Sequence, residues 1–342
     1  MLLSIAETAA YVPDHEWADV LGSVLAIVAL VSIPAVLVRR YAFGPRNAKG
    51  SGIIIPQYDP PAGVNLLESA YLVNRGQSAV PAAIVDLAIR GNVRIVDAGG
   101  GVPKLSLELV NAAGIDAEER QLLRAFFPDE HAGSKLALDS DEVGIRALGR
   151  MEDVVHVGVL AKGWRRMPSS LDGVLSGWAL VALLVVDLVT ICVVAAQSPA
   201  ANIALPPLIL AVLTAFATHS RGFVLTPAGA DIRDYLLGIR MYLQLAEADR
   251  LRILYSPGTA ARDHLDGEAV VRLREKLLPY AVLFGIEQDW SVEVAGAYTA
   301  GSSGPTWYEP PHSFDSDEFQ ESMTGITETL GGTPAREGDQ RR

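Results

Sequence analysis

The chain has 342 residues, half of them apolar, with a mean hydropathy of +0.25 and a formal net charge of −12. That is longer than one typical domain and more apolar than a soluble core alone explains. Its single cysteine, Cys192, excludes an intrachain disulfide and any multi-cysteine metal site.

Residues 1–19 contain Glu7, Asp14, Glu16 and Asp19 but no Lys or Arg, unlike the basic start of a cleaved signal peptide. They read as a short extracytoplasmic segment. Residues 20–38 are an uncharged run closed by Arg39 and Arg40, with Arg46 and Lys49 close behind. This pattern predicts a first transmembrane helix whose C-terminal end is cytoplasmic. Residues 39–55 form a linker, and the prolines of Pro56-Gln57-Tyr58-Asp59-Pro60-Pro61 favour extended chain.

Residues 56–170 predict a cytoplasmic, winged-helix-like domain. Leu66 to Val73 reads as a short helix, and Val80 to Gly91 as a second, with Pro81 in its first turn and Gly91 at its C-terminal cap. The alternating stretches Val93 to Val96 and Leu105 to Leu109, joined through Gly99-Gly100-Gly101, predict a β-hairpin. A further helix opens at Ala117, with Leu122, Leu123, Phe126 and Phe127 on its apolar side. Helix, helix, hairpin, helix is the outline of a winged helix.

Two more apolar segments follow, residues 174–197 and 200–219, separated by an uncharged turn. They predict a transmembrane hairpin, because about 20 apolar residues cross a hydrocarbon core of ~30 Å. Lys162, Arg165 and Arg166 precede it and Arg221 follows it, which keeps both flanks cytoplasmic. Residues 226–310 form a cytoplasmic helical segment opening with Thr226-Pro227, a cap and a first-turn proline. Tyr235, Ile239, Tyr242 and Leu243 belong to one apolar stripe and are expected to pack on the first cytoplasmic domain. Pro279 predicts a kink or break in the helix from Glu268 to Phe284. Residues 311–342 are expected to be a disordered tail.

The expected fold class is an α-helical membrane protein with three transmembrane helices and an α+β, winged-helix-like cytoplasmic domain. It would be multi-pass in the cytoplasmic membrane, with the N-terminus outside and the C-terminus inside.

Several separated stretches carry a family signature: Leu87 to Ile95 (LAIRGNVRI), Gly238 to Leu251 (GIRMYLQLAEADRL), Lys276 to Trp290 (KLLPYAVLFGIEQDW) and Trp307-Tyr308. Together, over roughly residues 40–315, they resemble the bacterial predicted membrane proteins of the domain-of-unknown-function family DUF2207. The resemblance implies a membrane-anchored cytoplasmic region split by a transmembrane hairpin. Members of that family usually carry a large extracytoplasmic β-rich domain before the first span, where this chain has residues 1–19. The family brings no established enzymatic activity.

Catalytic patterns are absent from the sequence: no phosphate-binding glycine loop, dinucleotide fingerprint, His-Glu-x-x-His or nucleophile elbow. The six histidines are scattered without ligand spacing, so neither an enzyme nor a cofactor is expected. Asp187 is the one charge within the apolar hairpin. A mid-span carboxylate costs about 3 kcal/mol on insertion scales and faces a polar partner or water. It is therefore a candidate assembly contact through Thr190 or Thr214, or an ion site. Arg90 and Arg94 are candidate contacts for a partner or for nucleic acid, but Glu68, Asp86 and Asp97 are interleaved with them and no basic stripe forms. Nucleic acid is therefore not the expected partner. The expected function is a membrane-anchored interaction or scaffold module, its partners the lipid bilayer and a protein or a second copy bound through the hairpin. The alternatives are an oligomeric transporter or channel component using Asp187, and a membrane-tethered winged-helix DNA binder.

Overall fold

The computed structural model describes residues 46–99, 105–138, 141–167, 223–245, 267–301 and 304–331, together with Val20, Val24 and Val185. The chain divides into two compact units, one of Met1–Asn47 and Arg166–Val224, the other of Ala48–Arg165 and Leu225–Arg342. Nearly all described residues belong to the second unit.

That unit begins with α1 (Leu66–Leu72), a 3-10 turn at Gly76–Ser78, and α2 (Ala79–Ile89). β1 (Val93–Asp97), β2 (Leu105–Leu109), α3 (Ala117–Phe126), β3 (Lys135–Ala137) and α4 (Asp141–Ala161) follow. Short strands β4 (Arg165–Arg166) and β5 (Val224–Leu225) mark where the chain leaves and returns. The remainder is α5 (Pro227–Leu243), α6 (Gly267–Phe284), α7 (Glu287–Gly301), β6 (Tyr308–Glu309) and α8 (Ser316–Leu330).

Local chemistry fixes the element ends. Asn65 and Glu68 form a reciprocal capping box on α1, and Asp116 and Glu119 form another on α3. The Thr226 hydroxyl accepts the Gly229 N–H at 3.2 Å, capping α5 with Pro227 behind it. α2 ends at Gly91, whose φ of +77° is the left-handed conformation that glycine adopts without strain.

β1 and β2 pair antiparallel, with Ile95 opposite Leu107. Their alternation turns Val93, Ile95, Leu105, Leu107 and Leu109 inward. This pair is the middle of a four-stranded sheet ordered β3-β2-β1-β6, in which β6 runs parallel to β1. α2 is apolar apart from Asp86, with Val80, Ile84, Val85 and Leu87 wholly buried, and α1, α4, α6 and α8 pack against it.

The expected fold class requires correction. Among the described residues no helix is long and apolar enough to cross a membrane. The longest, α4, has 21 residues and contains Asp141, Glu142, Arg146, Arg150, Glu152 and Asp153. Residues 20–38, 174–197 and 200–219, apart from three isolated valines, lie outside the described residues. What stands in place of the three-span architecture is an α+β unit with eight α-helices and a mixed sheet among the described residues. The winged-helix outline is also corrected. A wing is a hairpin with free edges, whereas here β3 and β6 occupy both edges.

The tail requires correction as well. Residues 316–330 form helix α8, with Phe319, Met323, Ile326 and Leu330 buried. A Cβ added to Gly144 of α4 would lie 2.6 Å from the Leu330 Cα, so α4 and α8 meet at backbone distance. α6 continues through Pro279 without the break that was one of the two expected outcomes, and its buried run from Leu277 to Phe284 holds it in the core.

Three stretches of chain meet where this unit joins the rest. The Ala48 N–H donates to the Leu225 carbonyl at 3.0 Å, and the Thr226 N–H to the Trp164 carbonyl at 3.0 Å. From there residues 48–57 run along α5. A Cβ on Gly238 would lie 2.3 Å from the Ile55 carbonyl oxygen, so only glycine admits this approach.

Candidate functional site

The cap of α2 and the start of α3 each place charged groups at one edge of the unit. Arg90 closes α2, and its Nε lies 2.9 Å from Asp86 one turn earlier. Its terminal nitrogen pairs closely with Glu119, the reaching residue of the α3 capping box. Asp116, the cap itself, accepts from the Asn65 amide at 2.7 Å, which ties the two capping boxes together. Beneath them the Lys162 ammonium lies 2.6 Å from the fully buried Glu68 carboxylate.

α6 forms the facing wall. Lys276 pairs with Asp59 at 2.8 Å, and Glu275 accepts from Trp307 Nε1 at 2.8 Å and from the Tyr298 hydroxyl. Between the walls is an open cleft of about 760 Å³, with Asp86, Asp116 and Glu119 on one side, Arg272 and Lys276 on the other, and Tyr280 at the back. Arg90 and Lys162 stand among the carboxylates and Glu275 beside the α6 cations, so both walls carry both signs of charge.

Burial shifts several of these groups. It raises the Glu68 carboxyl against the opposing pull of Lys162, and pushes the Tyr280 hydroxyl up. The Asp86 carboxyl is pushed up to about 6, because its burial outweighs the attraction of Arg90 and Glu119 adds repulsion. A folded-state value above the unfolded one means that the folded chain holds this proton more tightly. Asp86 therefore stabilises the fold below about pH 4, and that contribution is lost as pH rises through about 6. Asp86→Asn is expected to flatten this part of the pH profile and to raise stability at pH 7 by about 1 to 3 kcal/mol. Urea midpoints measured at intervals from pH 4 to pH 7.5 check this, and an unchanged slope in the variant refutes it.

Of the residues singled out in the sequence, Arg90 lines this cleft. Arg94 does not: it lies on β1 between Glu108 at 3.7 Å and Glu309 at 3.9 Å. Each guanidinium is thus shared by two carboxylates. Ile239, Tyr242 and Leu243 are buried on α5 and Tyr235 is half-buried, its hydroxyl donating to the Asp59 carbonyl at 3.1 Å. Tyr242 lies 6.2 Å from Tyr58 between ring centroids. Asp187 lies outside the described residues. Among the described residues no group of three His, Cys, Asp or Glu is arranged to hold a metal ion.

Sequence reasoning did not single out Asp116, Glu119, Lys162, Glu275 or Lys276 as cleft residues. The spacing Asp116-x-x-Glu119 was a readable signal, but it announces a helix cap, and its second role depends on Arg90 arriving from another element.

The fold and cleft define an α+β domain with a preformed polar groove. The chain belongs to the DUF2207 family of predicted membrane proteins, whose C-terminal domain is matched over residues 53–293. It is thus a membrane protein of a family without an assigned function. No curated protein and no solved structure matches it.

Proposed function

We propose that this protein is a membrane-associated interaction module whose cleft receives a polypeptide segment carrying both signs of charge. The observation that supports this most is that both signs of charge line one preformed cleft, Asp86, Asp116 and Glu119 with Arg90 and Lys162 on one side, Arg272 and Lys276 with Glu275 on the other. A segment with basic and acidic side chains in matching order would pair with both walls, and complementary charge governs encounter and register. The capping boxes and ion pairs fix the walls in advance, which lowers the ordering cost of binding. Lys49, Lys162 and Arg165 sit near the points where the chain enters and leaves the unit. They support a location on the cytoplasmic face, where basic segments beside a membrane are retained.

A photo-reactive amino acid placed in cells at Ile89 in the cleft, or at Asn111 outside it, tests this reading. One foreign protein should crosslink from Ile89 and not from Asn111, and its yield should fall at least ~10-fold with Lys276→Glu, the cost of a reversed charge pair. Adducts equal at both positions, or indifferent to that substitution, would exclude the cleft as the docking place.

A further inference from the structure

A second, smaller cavity of about 290 Å³ lies away from the cleft, where the start of α2, the corner between α6 and α7, and α8 come together. Arg75, Gln77 and Ser78 line one side, Gly285, Glu287 and Gln288 another. One arginine lines this corner and a second stands behind it, outside the lining. Arg75 faces into it, with a terminal nitrogen 3.7 Å from where a Cβ on Gly285 would stand. Arg240 of α5 lies with its guanidinium 6.0 Å from the ring centre of Phe284, the residue before that glycine.

Burial holds the Arg75 guanidinium below its usual range, and the neighbouring positive charge of Arg240 lowers it further. Among the described residues neither guanidinium has a hydrogen bond or an ion pair, and the Arg240 Nε is buried with no partner. Both arginines are half-buried, and like charges partly withdrawn from water repel at a cost that a counter-ion offsets. Glu287 is the one carboxylate whose charge acts on Arg75, and it does not balance both guanidiniums. Its own carboxyl is raised by burial, and its Oε2 is buried without a partner. Glu328, at the rim, is exposed and screened by water.

The rest of the lining is complementary to negative charge. Ser78 stands at the N-cap of α2 with its hydroxyl making no capping bond. α7 begins at Glu287 on the opposite wall, so two helix N-termini turn their partial positive charge toward the same space.

We propose that this cavity binds a phosphate-type oxyanion, held by Arg75 with the Ser78 hydroxyl and the Gln77 and Gln288 amides, while Arg240 adds its positive charge from behind the lining. A planar guanidinium donates two parallel hydrogen bonds to such a group, and the anion removes the repulsion between the two arginines. A soluble phosphate and the headgroup of an acidic phospholipid both present this chemistry.

The test is thermal unfolding of the full chain in neutral detergent, with inorganic phosphate titrated against chloride of equal ionic strength. Soluble dioctanoyl phosphatidic acid, with dioctanoyl phosphatidylcholine as its control, is titrated in parallel. Phosphate or phosphatidic acid should raise the midpoint of the wild type. Arg75→Gln should weaken that effect at least ~10-fold, as expected for loss of a charge-assisted contact, and Arg240→Gln should weaken it less, by the loss of a nearby charge alone. Glu287→Gln should strengthen it, because it removes the one opposing carboxylate inside. Without added anion, Arg240→Gln should unfold no earlier than the wild type, since it relieves a like-charge contact. Equal responses to the two anions identify a free phosphate as the ligand, and a response to phosphatidic acid alone identifies a lipid headgroup. No response to either, a response that survives both arginine substitutions, or an anion-free Arg240→Gln protein less stable than the wild type overturns the proposal.

Discussion

Phe319→Ala is expected to destabilise the folded unit by about 3 to 5 kcal/mol, the range for removing a fully buried aromatic ring. Phe319 is 0 % exposed and sits in the only aromatic cluster that α8 joins among the described residues. Its ring lies 5.3 Å from Tyr308, 5.7 Å from Phe314 and 5.9 Å from Trp307, with the Tyr308 and Trp307 contacts edge to face. These partners cannot close over the gap easily. Tyr308 belongs to β6, and the Trp307 indole is bonded to Glu275 of α6. Folded domains have about 5 to 15 kcal/mol in hand, so a loss of this size is a large share of the total. Urea unfolding of the full chain in neutral detergent measures it. A loss under about 1 kcal/mol would mean that α8 contributes little to the core.

Asp97→Ala should cost about 2 to 4 kcal/mol by a different route, the loss of buried charge-assisted hydrogen bonds. The carboxylate of Asp97 accepts from the Gly99 N–H at 2.8 Å and from the Ser322 hydroxyl at 2.7 Å, and the Tyr308 hydroxyl lies 3.5 Å away. The Tyr308 hydroxyl is pushed up to about 12, first by burial and then by this carboxylate, so it stays a donor at any physiological pH. Without Asp97, Ser322 and Tyr308 can still bond each other at 3.0 Å, which is why the expected loss is not larger. Asp97→Ala and Ser322→Ala should therefore be non-additive by about 1 to 2 kcal/mol in a double-mutant cycle. Additive losses would show that the Asp97–Ser322 bond does not hold α8 to the sheet.

Both substitutions act on the part of the fold that was hardest to read. Phe319, Met323, Ile326 and Leu330 recur at spacings of four, three and four, a regular helical stripe, and Asp315 precedes them as a cap. The stripe is embedded among Asp317, Glu318, Glu321 and Glu328, within a stretch rich in Gly, Ser and Pro, so composition pointed to disorder. β6 was hidden for a different reason. A two-residue strand has no periodicity of its own, and its pairing with β1 spans about two hundred residues of sequence. The family match ends at residue 293 and so leaves out Trp307 and Phe319, both of which complete the core. What was legible rested on local chemistry: the Thr226-Pro227 start of α5, the Gly91 end of α2, the alternation in β1 and β2, and the stripe through Tyr242 and Leu243. The cleft was not legible, because Asp86, Glu119 and Lys162 acquire their roles only when three distant segments meet.

The hydrogen bonds from Thr226 to Gly163 and Trp164 carry a consequence for how the unit accommodates an interruption of its chain. They close residues 166–224 into an excursion whose two ends are joined within the folded unit itself. The closure fixes where the excursion leaves and re-enters the unit, and the entropic cost of such a closure grows only slowly with the number of residues between its ends. Inside the unit the tolerance is far narrower, since a single methyl group added at Gly238 would have to push the Ile55 backbone off α5.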